Sequence, residues 1–345
     1  MKKRIIISVC AILVLALIFT LCSFLVIPKY TEKSRLEGRL IGEYYGEAGG
    51  HDVIFIGDCE VYESFVPAIM WEKYGISSYV RGSAQQLAWH SYYLLEETFK
   101  YEKPKAVVFN VLALKYGEPQ NEAYNRMTLD GMKWSGSKIK GILSSMTEEE
   151  SFLDYVFPLL RFHSRITELT ADDLKFAFTE PPAVSHSGYL MQTDIVPMPD
   201  DGRAPITVLD GLPDSAMEYL EKMRLLCEEN GAELILIKAP TNHVKYWWYG
   251  QWEEQICEYA SQNKLAYYNF IPLCDEMGID WSRDTYDKGM HLNVYGAEKL
   301  SVYFGDILIR KHGITDRRGD ADLSRSWQER VDRYYEDKNS RENEK

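Results

Sequence analysis

Residues 52–59 read Asp-Val-Ile-Phe-Ile-Gly-Asp-Cys, a short apolar run between turn-forming residues. Such a run is typical of a strand buried on both faces of a parallel sheet. Two similar runs follow at 76–81 and 106–112, and segments with helical features, 67–74 and 84–101, precede them. Strands that alternate with helices predict a parallel sheet covered by helices on both faces.

The alternation stops after the third strand and resumes at Asp214, a candidate N-cap. Between them, residues 115–212 mix short helical pieces with Pro- and Gly-rich loops, which is typical of an insertion or cap. The later predicted elements are a helix 214–230, a strand 232–239, a helix 251–263, a strand 265–269 and a helix 294–311. We therefore predict an α/β, three-layer, flavodoxin-like fold with about five parallel strands and a mid-chain insertion.

The N-terminus has the pattern of a membrane anchor. Lys2, Lys3 and Arg4 precede an apolar run over 5–27, which as a helix would span roughly 35 Å. Basic residues before the run, with no similar cluster after it, predict a cytoplasmic N-terminus. A cleaved signal peptide is the alternative, but residues 23–28 (SFLVIP) offer no small-x-small cleavage site.

These patterns predict one single-pass protein whose C-terminal domain is extracytoplasmic. The predicted parts are 1–4 cytoplasmic N-terminus, 5–27 transmembrane helix, 28–50 linker, 51–315 α/β domain with its insertion at 115–212, and 316–345 charged C-terminal tail. We interpret the tail as a solvated helix.

Composition excludes some functions and leaves others open. A formal net charge of −13 argues against nucleic-acid binding, which depends on Lys and Arg. The cysteines have no metal-ligand spacing, and we predict neither a metal nor another cofactor. Cys227 and Cys257 lie in helical stretches and are expected to be buried, while a Cys257–Cys274 bridge remains possible.

Candidate site residues follow the ends of the predicted strands, where open parallel sheets bind ligands. Cys59 follows the first strand, and Gly82 ends the second. A nucleophile, a His and a carboxylate suit acyl transfer, and Cys59, His291 and Asp287 supply them in that order. Backbone N–H groups at Cys59 and Gly82 could bind an oxyanion, and a helix N-terminus at Cys59 is expected to stabilise its thiolate.

These same blocks resemble the SGNH/GDSL hydrolase superfamily, over roughly 52–311. The blocks are Gly57-Asp58-Cys59, Gly82, and Asp287 with His291 before the last helix. The membrane anchor makes the chain most similar to the branch that modifies cell-envelope polymers, including teichoic-acid D-alanyl transfer and alginate O-acetylation proteins.

The resemblance implies an SGNH-type fold and acyl transfer or ester hydrolysis on a cell-envelope glycan or glycopolymer. It also implies a membrane-bound O-acyltransferase as a partner, and an oxyanion role for Asn110. The chain departs from the family in two ways: the nucleophile is normally Ser, and the carboxylate usually lies three residues before the His. Asp287 lies four before His291, so Asp284 is an alternative.

Three functional hypotheses remain open. Cys59 could relay an acyl group as a thioester, or the site could hydrolyse esters with water as acceptor. The exchange of Ser for Cys also fits a catalytically degenerate SGNH-fold binding or scaffold subunit. The aromatic run 245–252 would stack on sugars or acyl chains, or fill space in the core. We predict substrate contacts for His243, Trp247 and Trp248.

Overall fold

A computed structural model describes residues 2–29, 38–198, 211–243, 248 and 250–344. Its centre is one five-stranded sheet in the order β2-β1-β3-β4-β5, in which every neighbouring pair is parallel. The strands are β1 Val53–Gly57, β2 Ser78–Gly82, β3 Ala106–Asn110, β4 Glu233–Lys238 and β5 Ala266–Asn269. This order is the flavodoxin-like one.

Fifteen α-helices occur in the described part of the chain. They are α1 Lys2–Val26, α2 Arg39–Glu47, α3 Cys59–Tyr62, α4 Pro67–Tyr74, α5 Ala88–Tyr101, α6 Glu122–Leu129, α7 Gly136–Ser145, α8 Phe152–Val156, α9 Pro158–Phe162, α10 Ala171–Lys175, α11 Asp214–Asn230, α12 Gly250–Asn263, α13 Cys274–Met277, α14 Val294–His312 and α15 Ala321–Asn343.

Helices cover the sheet because its strands are apolar on both faces. Every residue of β1, β2 and β3 is buried. Among the covering helices, α4 packs on α14, and α5 packs on α11. The predicted α/β class, with a parallel sheet of about five strands and an apolar N-terminal helix, is confirmed.

The C-terminal tail forms a helix, but the expectation that it is solvated is wrong. Trp327 and Tyr334 of α15 are buried. The Trp327 ring stacks on Trp71 of α4 with centroids 5.3 Å apart. A strongly charged helix therefore completes the core through one apolar stripe, because its charges lie on the other faces.

The described chain forms two compact units. The first contains α1 and residues 146–184, and the second contains the sheet with α2 to α7 and α11 to α15. The predicted insertion 115–212 is thus divided: α6 and α7 belong to the unit of the sheet, whereas α8, α9 and α10 belong with α1.

The helix α1 is long and apolar enough to cross a membrane, with a mean hydropathy of 3.1 over its most apolar window. Its side chains from Ile5 to Ile18 are exposed. The side of a membrane on which the second unit lies stays a prediction.

The cysteines differ from expectation at one position. Cys227 is buried in α11 as expected, but Cys257 is exposed on α12. All six cysteines are free, so Cys257 and Cys274 are not bridged. The apolar neighbours of Cys257 in sequence face the core, whereas its own position on the helix faces outward.

Candidate functional site

The first element of the site is the turn from β1 into α3. Gly57 has φ +153°, and a Cβ there would lie 2.7 Å from Cγ2 of Val61. Asp58 caps α3 by accepting a hydrogen bond from the Glu60 N–H at 3.2 Å. This turn places Cys59 as the first residue of α3, at the carboxyl end of the strand. Its side chain is buried, with 8 % of the residue exposed.

The second element is the loop that precedes α14. Lys288 and Gly289 have φ of +65° and +87°, so the chain reverses between Asp287 and His291. The Asp287 carboxylate then holds His291 at two points. Oδ1 accepts the His291 backbone N–H at 2.8 Å, and Oδ2 lies 2.6 Å from Nδ1 of the ring. The four-residue spacing therefore brings carboxylate and imidazole together.

The alternative carboxylate, Asp284, is fully buried and engaged elsewhere. Its Oδ2 lies 2.6 Å from Nζ of Lys299 and accepts the Asp280 N–H at 2.8 Å. Asp284 thus fixes the start of α14 to the preceding loop. Asp287 is the aspartate in contact with the imidazole.

The structure places the Cys59 and His291 side chains close enough for each to shift the pKa of the other. Nδ1 of the ring faces Asp287, so Nε2 is the nitrogen available to the thiol. Burial raises the pKa of Cys59, and the charge of His291 opposes this rise. Since α3 has only four residues, it contributes little dipole, and the expected stabilisation of the thiolate depends on His291 instead.

Burial also acts on His291, in the opposite direction. It alone would lower the imidazole pKa, because it disfavours the charged form. The negative charges of Cys59 and Glu63 and the hydrogen bond to Asp287 outweigh burial, and they raise the pKa of His291 well above its ordinary value. These negative charges therefore stabilise the imidazolium that forms when the ring accepts a proton.

Glu63 is a site residue that the sequence analysis missed. Its Oε2 lies 3.5 Å from Nδ1 of His291, and its Oε1 accepts a hydrogen bond from the Tyr286 hydroxyl at 2.8 Å. Burial raises the pKa of Glu63 to about 7, although the neighbouring His291 opposes the rise. Glu63 follows Cys59 by four positions, and this helical spacing was the available signal.

Asn110 ends β3 and lies in a buried polar network beneath the turn. Its Nδ2 donates to Asp58 Oδ1 at 3.0 Å and to Glu60 Oε2 at 2.9 Å, while its Oδ1 accepts the Ala239 N–H at 3.1 Å. Both amide hydrogens are thus used within the protein. Its predicted oxyanion role stays a prediction.

The same network contains a buried ion pair. Nζ of Lys238, at the end of β4, donates to both carboxylate oxygens of Glu60 at 2.8 Å. Burial and the charge of Glu60 raise the pKa of Asp58 to about 7. Three strands are therefore joined below Cys59 by charged and amide side chains, and not by apolar packing alone.

A small cavity of about 30 Å³ opens beside Cys59. Its other lining residues are Asp58, Gln85, Gln86, Leu87, Leu112, Ala113, Lys115 and Tyr116. Gln85 has φ +47°, and its Oε1 is buried without a hydrogen-bond partner in the described part of the chain. Gln85 is thus a polar residue at this cavity that the sequence analysis did not single out.

Gly82 ends β2 and pairs with Gly57 of β1. A Cβ at Gly82 would lie 3.1 Å from Cβ of Tyr62 and 3.2 Å from the Gly57 carbonyl oxygen. A glycine therefore allows α3 to approach the sheet closely. The oxyanion role predicted for its N–H stays a prediction.

The predicted substrate residues after β4 lie in different surroundings. The backbone N–H of His243 donates to Oγ1 of Thr241 at 3.3 Å, and this hydroxyl donates to the Gly289 carbonyl at 3.1 Å. The loop that carries His243 thus contacts the loop that carries His291. Trp248 is buried and packs on Trp252 with ring centroids 5.3 Å apart, and Trp247 lies outside the described residues.

Comparison with solved structures shows a distant likeness. No known protein family and no curated protein matches this sequence. A crystal structure of a Bacteroides fragilis protein predicted to be an acylhydrolase is similar, with a TM-score of 0.38 and 10 % sequence identity. The similarity covers 81 % of this chain and 97 % of that one.

Proposed function

We propose that this protein is an extracytoplasmic enzyme that transfers an acyl group to, or hydrolyses an ester of, a cell-envelope glycan or glycopolymer. The observation that carries the proposal is the grouping of Cys59, His291 and Asp287 at the carboxyl edge of the sheet, where Oδ2 of Asp287 lies 2.6 Å from Nδ1 of His291. The Asp287 carboxylate binds both the backbone N–H of His291 and Nδ1 of its ring. Nε2 of the ring can then accept the proton of the thiol.

The proposed reaction has two steps. In the first, Sγ of Cys59 attacks the carbonyl carbon of an ester while its proton moves to Nε2 of His291. The tetrahedral intermediate then collapses, and the C–O bond to the leaving alcohol breaks as His291 protonates the alcohol oxygen. In the second step, His291 removes a proton from an acceptor hydroxyl, which attacks the thioester and releases Cys59.

Two carboxylates support the cationic form of His291 in this reaction. Asp287 bonds to Nδ1 directly, and Glu63 lies on the same side of the ring at 3.5 Å. Positive charge develops on the imidazole when it takes the thiol proton, and nearby negative charge stabilises that state. We assign Glu63 as a positioning residue that acts through His291.

The cavity beside Cys59 supports a small acyl group. Its volume is about 30 Å³. An acetyl group is more compatible with that space than a long acyl chain. The unpartnered Gln85 oxygen could accept a hydrogen bond from a substrate N–H or O–H group.

Acylation of the intact protein tests the proposal. The full chain in detergent is incubated with p-nitrophenyl acetate, and tryptic peptides are analysed by mass spectrometry. We expect an acetyl thioester on Cys59 that His291→Ala slows strongly, whereas exposed Cys257 reacts equally in both proteins. Acylation of Cys59 that is no faster than that of Cys257, or that is unaffected by H291A, would contradict the proposal.

The catalytically degenerate binding or scaffold subunit remains a second candidate, favoured by one observation. Burial raises the pKa of Cys59, which disfavours the thiolate in the free protein. The two candidates differ in thiol chemistry: an enzyme site should show alkylation of Cys59 that depends on His291, and a scaffold should show a slow reaction in both proteins.

The membrane setting of the proposal depends on the N-terminus. Lys2, Lys3 and Arg4 precede α1, which supports a cytoplasmic start and an outward-facing catalytic domain. An acyl donor would then have to reach the outer face, and we propose a membrane-bound O-acyltransferase as the partner. Protease accessibility in right-side-out vesicles tests this orientation: digestion of the sheet domain only after lysis would contradict it.

A further inference from the structure

The segment 146–184 and α1 belong to one compact unit. The contacts between them show at which level of α1 the segment packs. The ring of Phe157 packs edge-on against Phe19 of α1, with centroids 5.6 Å apart and planes at 79°. Phe19 lies seven residues before Val26, the last residue of α1. At helical rise this separation is roughly 10 Å. Phe157 therefore lies well below the end of the apolar helix.

Charged side chains mark the end of the same helix. Nη1 of Arg165 donates to the Val26 carbonyl at 2.5 Å, and its Nη2 donates to Asp173 at 2.8 Å. Nζ of Lys29 donates to the Ile27 carbonyl at 2.9 Å. Cations at a helix C-terminus satisfy its last carbonyl groups and are typical of the membrane–water boundary. Arg165 and Lys29 thus define a polar level above Phe157.

The segment also exposes large apolar side chains that no other described part of its unit covers. Leu153 of α8, Phe157 at the junction of α8 and α9, and Leu160 of α9 are all exposed. Phe178, the most exposed, shows 77 % of its surface. The full exposed set in the segment is Leu153, Phe157, Leu160, Ile166, Leu174 and Phe178. Exposed apolar surface of this extent indicates a binding site.

We infer that α8, α9 and α10 form a second membrane contact, which lies in the outer boundary between lipid headgroups and acyl chains beside α1. The occupant is lipid hydrocarbon, because the exposed set is continuous with α1 through the contact between Phe157 and Phe19. A depth of roughly 10 Å below the helix end matches the burial of interfacial helices. The inference rests on α1 crossing a membrane.

Charge attraction does not drive this contact. Residues 146–184 contain eight acidic and three basic residues, so the segment is net acidic. A net acidic segment is not drawn to anionic headgroups. The contact therefore depends on insertion of apolar side chains, and it should be as strong in zwitterionic as in anionic bilayers.

Photolabelling of the full-length protein from within the bilayer tests the inference. The protein is placed in phosphatidylcholine nanodiscs at one copy per disc, with a lipid that carries a diazirine on its acyl chain. After illumination, labelled peptides are mapped by mass spectrometry. We expect labels on α1 and on peptides that contain Leu160 and Phe178. The control is Leu225 of α11, an exposed apolar residue of the other unit, which should stay unlabelled.

Two variants make the test specific. Phe178→Asp should reduce labelling around residue 178 while labelling of α1 is unchanged, and Leu225→Asp should change neither. Labelling confined to α1, or no labelling of either α1 or the segment 146–184, would overturn the inference. A second outcome would also overturn it. If the segment 146–184 loses its label in liposomes at high protein density, and two copies of the chain can be cross-linked there, the segment binds a second copy and not lipid. These outcomes do not depend on the acyl chemistry at Cys59.

Discussion

Asp287 holds His291 at two points, with Oδ1 accepting the backbone N–H at 2.8 Å and Oδ2 lying 2.6 Å from Nδ1 of the ring. The two bonds fix both the position of the loop and the orientation of the imidazole. Both side-chain oxygens of aspartate accept hydrogen bonds, whereas asparagine has only one acceptor oxygen. An asparagine at this position would therefore lose one of the two bonds.

Asp287→Asn should therefore lower the rate of Cys59 acylation by about 10²–10⁴-fold, as expected when a histidine loses the carboxylate that orients it. The measurement is single-turnover acylation by p-nitrophenyl acetate. Asp284→Asn is the matched control: it should lower the melting temperature, because Lys299 loses its partner, but leave the rate per folded molecule unchanged. Equal effects of the two variants on the rate would argue against a special role for Asp287.

His291 controls the ionisation of Cys59. Burial raises the pKa of the thiol, and the imidazolium opposes this rise. His291→Asn should therefore raise the thiol pKa further and slow alkylation by iodoacetamide at pH 8 by about tenfold or more, since one pKa unit changes the thiolate fraction tenfold. Exposed Cys257 in the same sample is the internal control. An unchanged ratio of Cys59 to Cys257 labelling would show that the imidazole does not act on the thiol.

Glu63 should make stability depend on pH. Its pKa is raised from the ordinary value of 4.5 to about 7, so the folded protein retains the proton where the unfolded chain has lost it. This group therefore lowers the free energy of unfolding as the pH rises through that window, by on the order of 3 kcal/mol at pH 8.

Glu63→Gln keeps an oxygen acceptor for Tyr286 and removes the charge. We expect the variant to gain thermal stability relative to the wild type at pH 8 but not at pH 4.5, as measured by melting temperature across that range. Glu72→Gln, at a half-exposed position, should show no such pH-dependent gain. A constant difference between E63Q and the wild type at all pH values would contradict the raised pKa.

The buried pair of Lys238 and Glu60 should be sensitive to removal of one partner. Lys238→Met leaves the Glu60 carboxylate buried without its cation and should cost roughly 3–5 kcal/mol of unfolding free energy in chemical denaturation. The double variant with Glu60→Gln should recover most of this loss. Lys73→Met, which removes an exposed pair, should cost less than about 1 kcal/mol. A double variant as unstable as K238M would show that the charge is not the cause.

Gln85 should contribute to substrate binding and not to the chemical step. Gln85→Ala removes the unpartnered oxygen in the cavity beside Cys59. We expect KM for a soluble acetyl ester to rise about three- to tenfold, the effect of one lost hydrogen bond, with little change in kcat. Gln86→Ala is the contrast: its amide is bonded to Arg81 and Ser91, so it should lower stability instead. A fall in kcat alone for Q85A would exclude this role.

The sheet could be predicted because its strands are short apolar runs between turn-forming residues. The runs that begin at Val53 and Leu234 are buried on both faces, so they carry no alternation and stand out in sequence. The ends of elements were less predictable: α5 begins at Ala88, after the loop that contains Gln85 at φ +47°. Positive φ at a glutamine is set by tertiary contacts, which a sequence pattern does not contain.

The candidate site was predictable only in part, for the same reason. Cys59 and His291 follow from their places at element ends, and the structure brings the two side chains together. The role of Glu63 comes from a contact with a loop that is distant in sequence, so its helical spacing from Cys59 indicates proximity to the site but not that role. The helix α15 was misjudged because its apolar residues, Trp327, Val331 and Tyr334, are diluted by charges, although their spacing of four and three residues is helical.

The position of α15 has a consequence for biosynthesis. Trp327 stacks on Trp71, and Arg330 lies 3.1 Å from Glu47, so α15 covers elements that are translated long before it. While the chain emerges from the ribosome, the Trp71 face of α4 stays uncovered until α15 has also been translated. A chaperone that shields Trp71 until α15 has folded would therefore raise the yield of this domain.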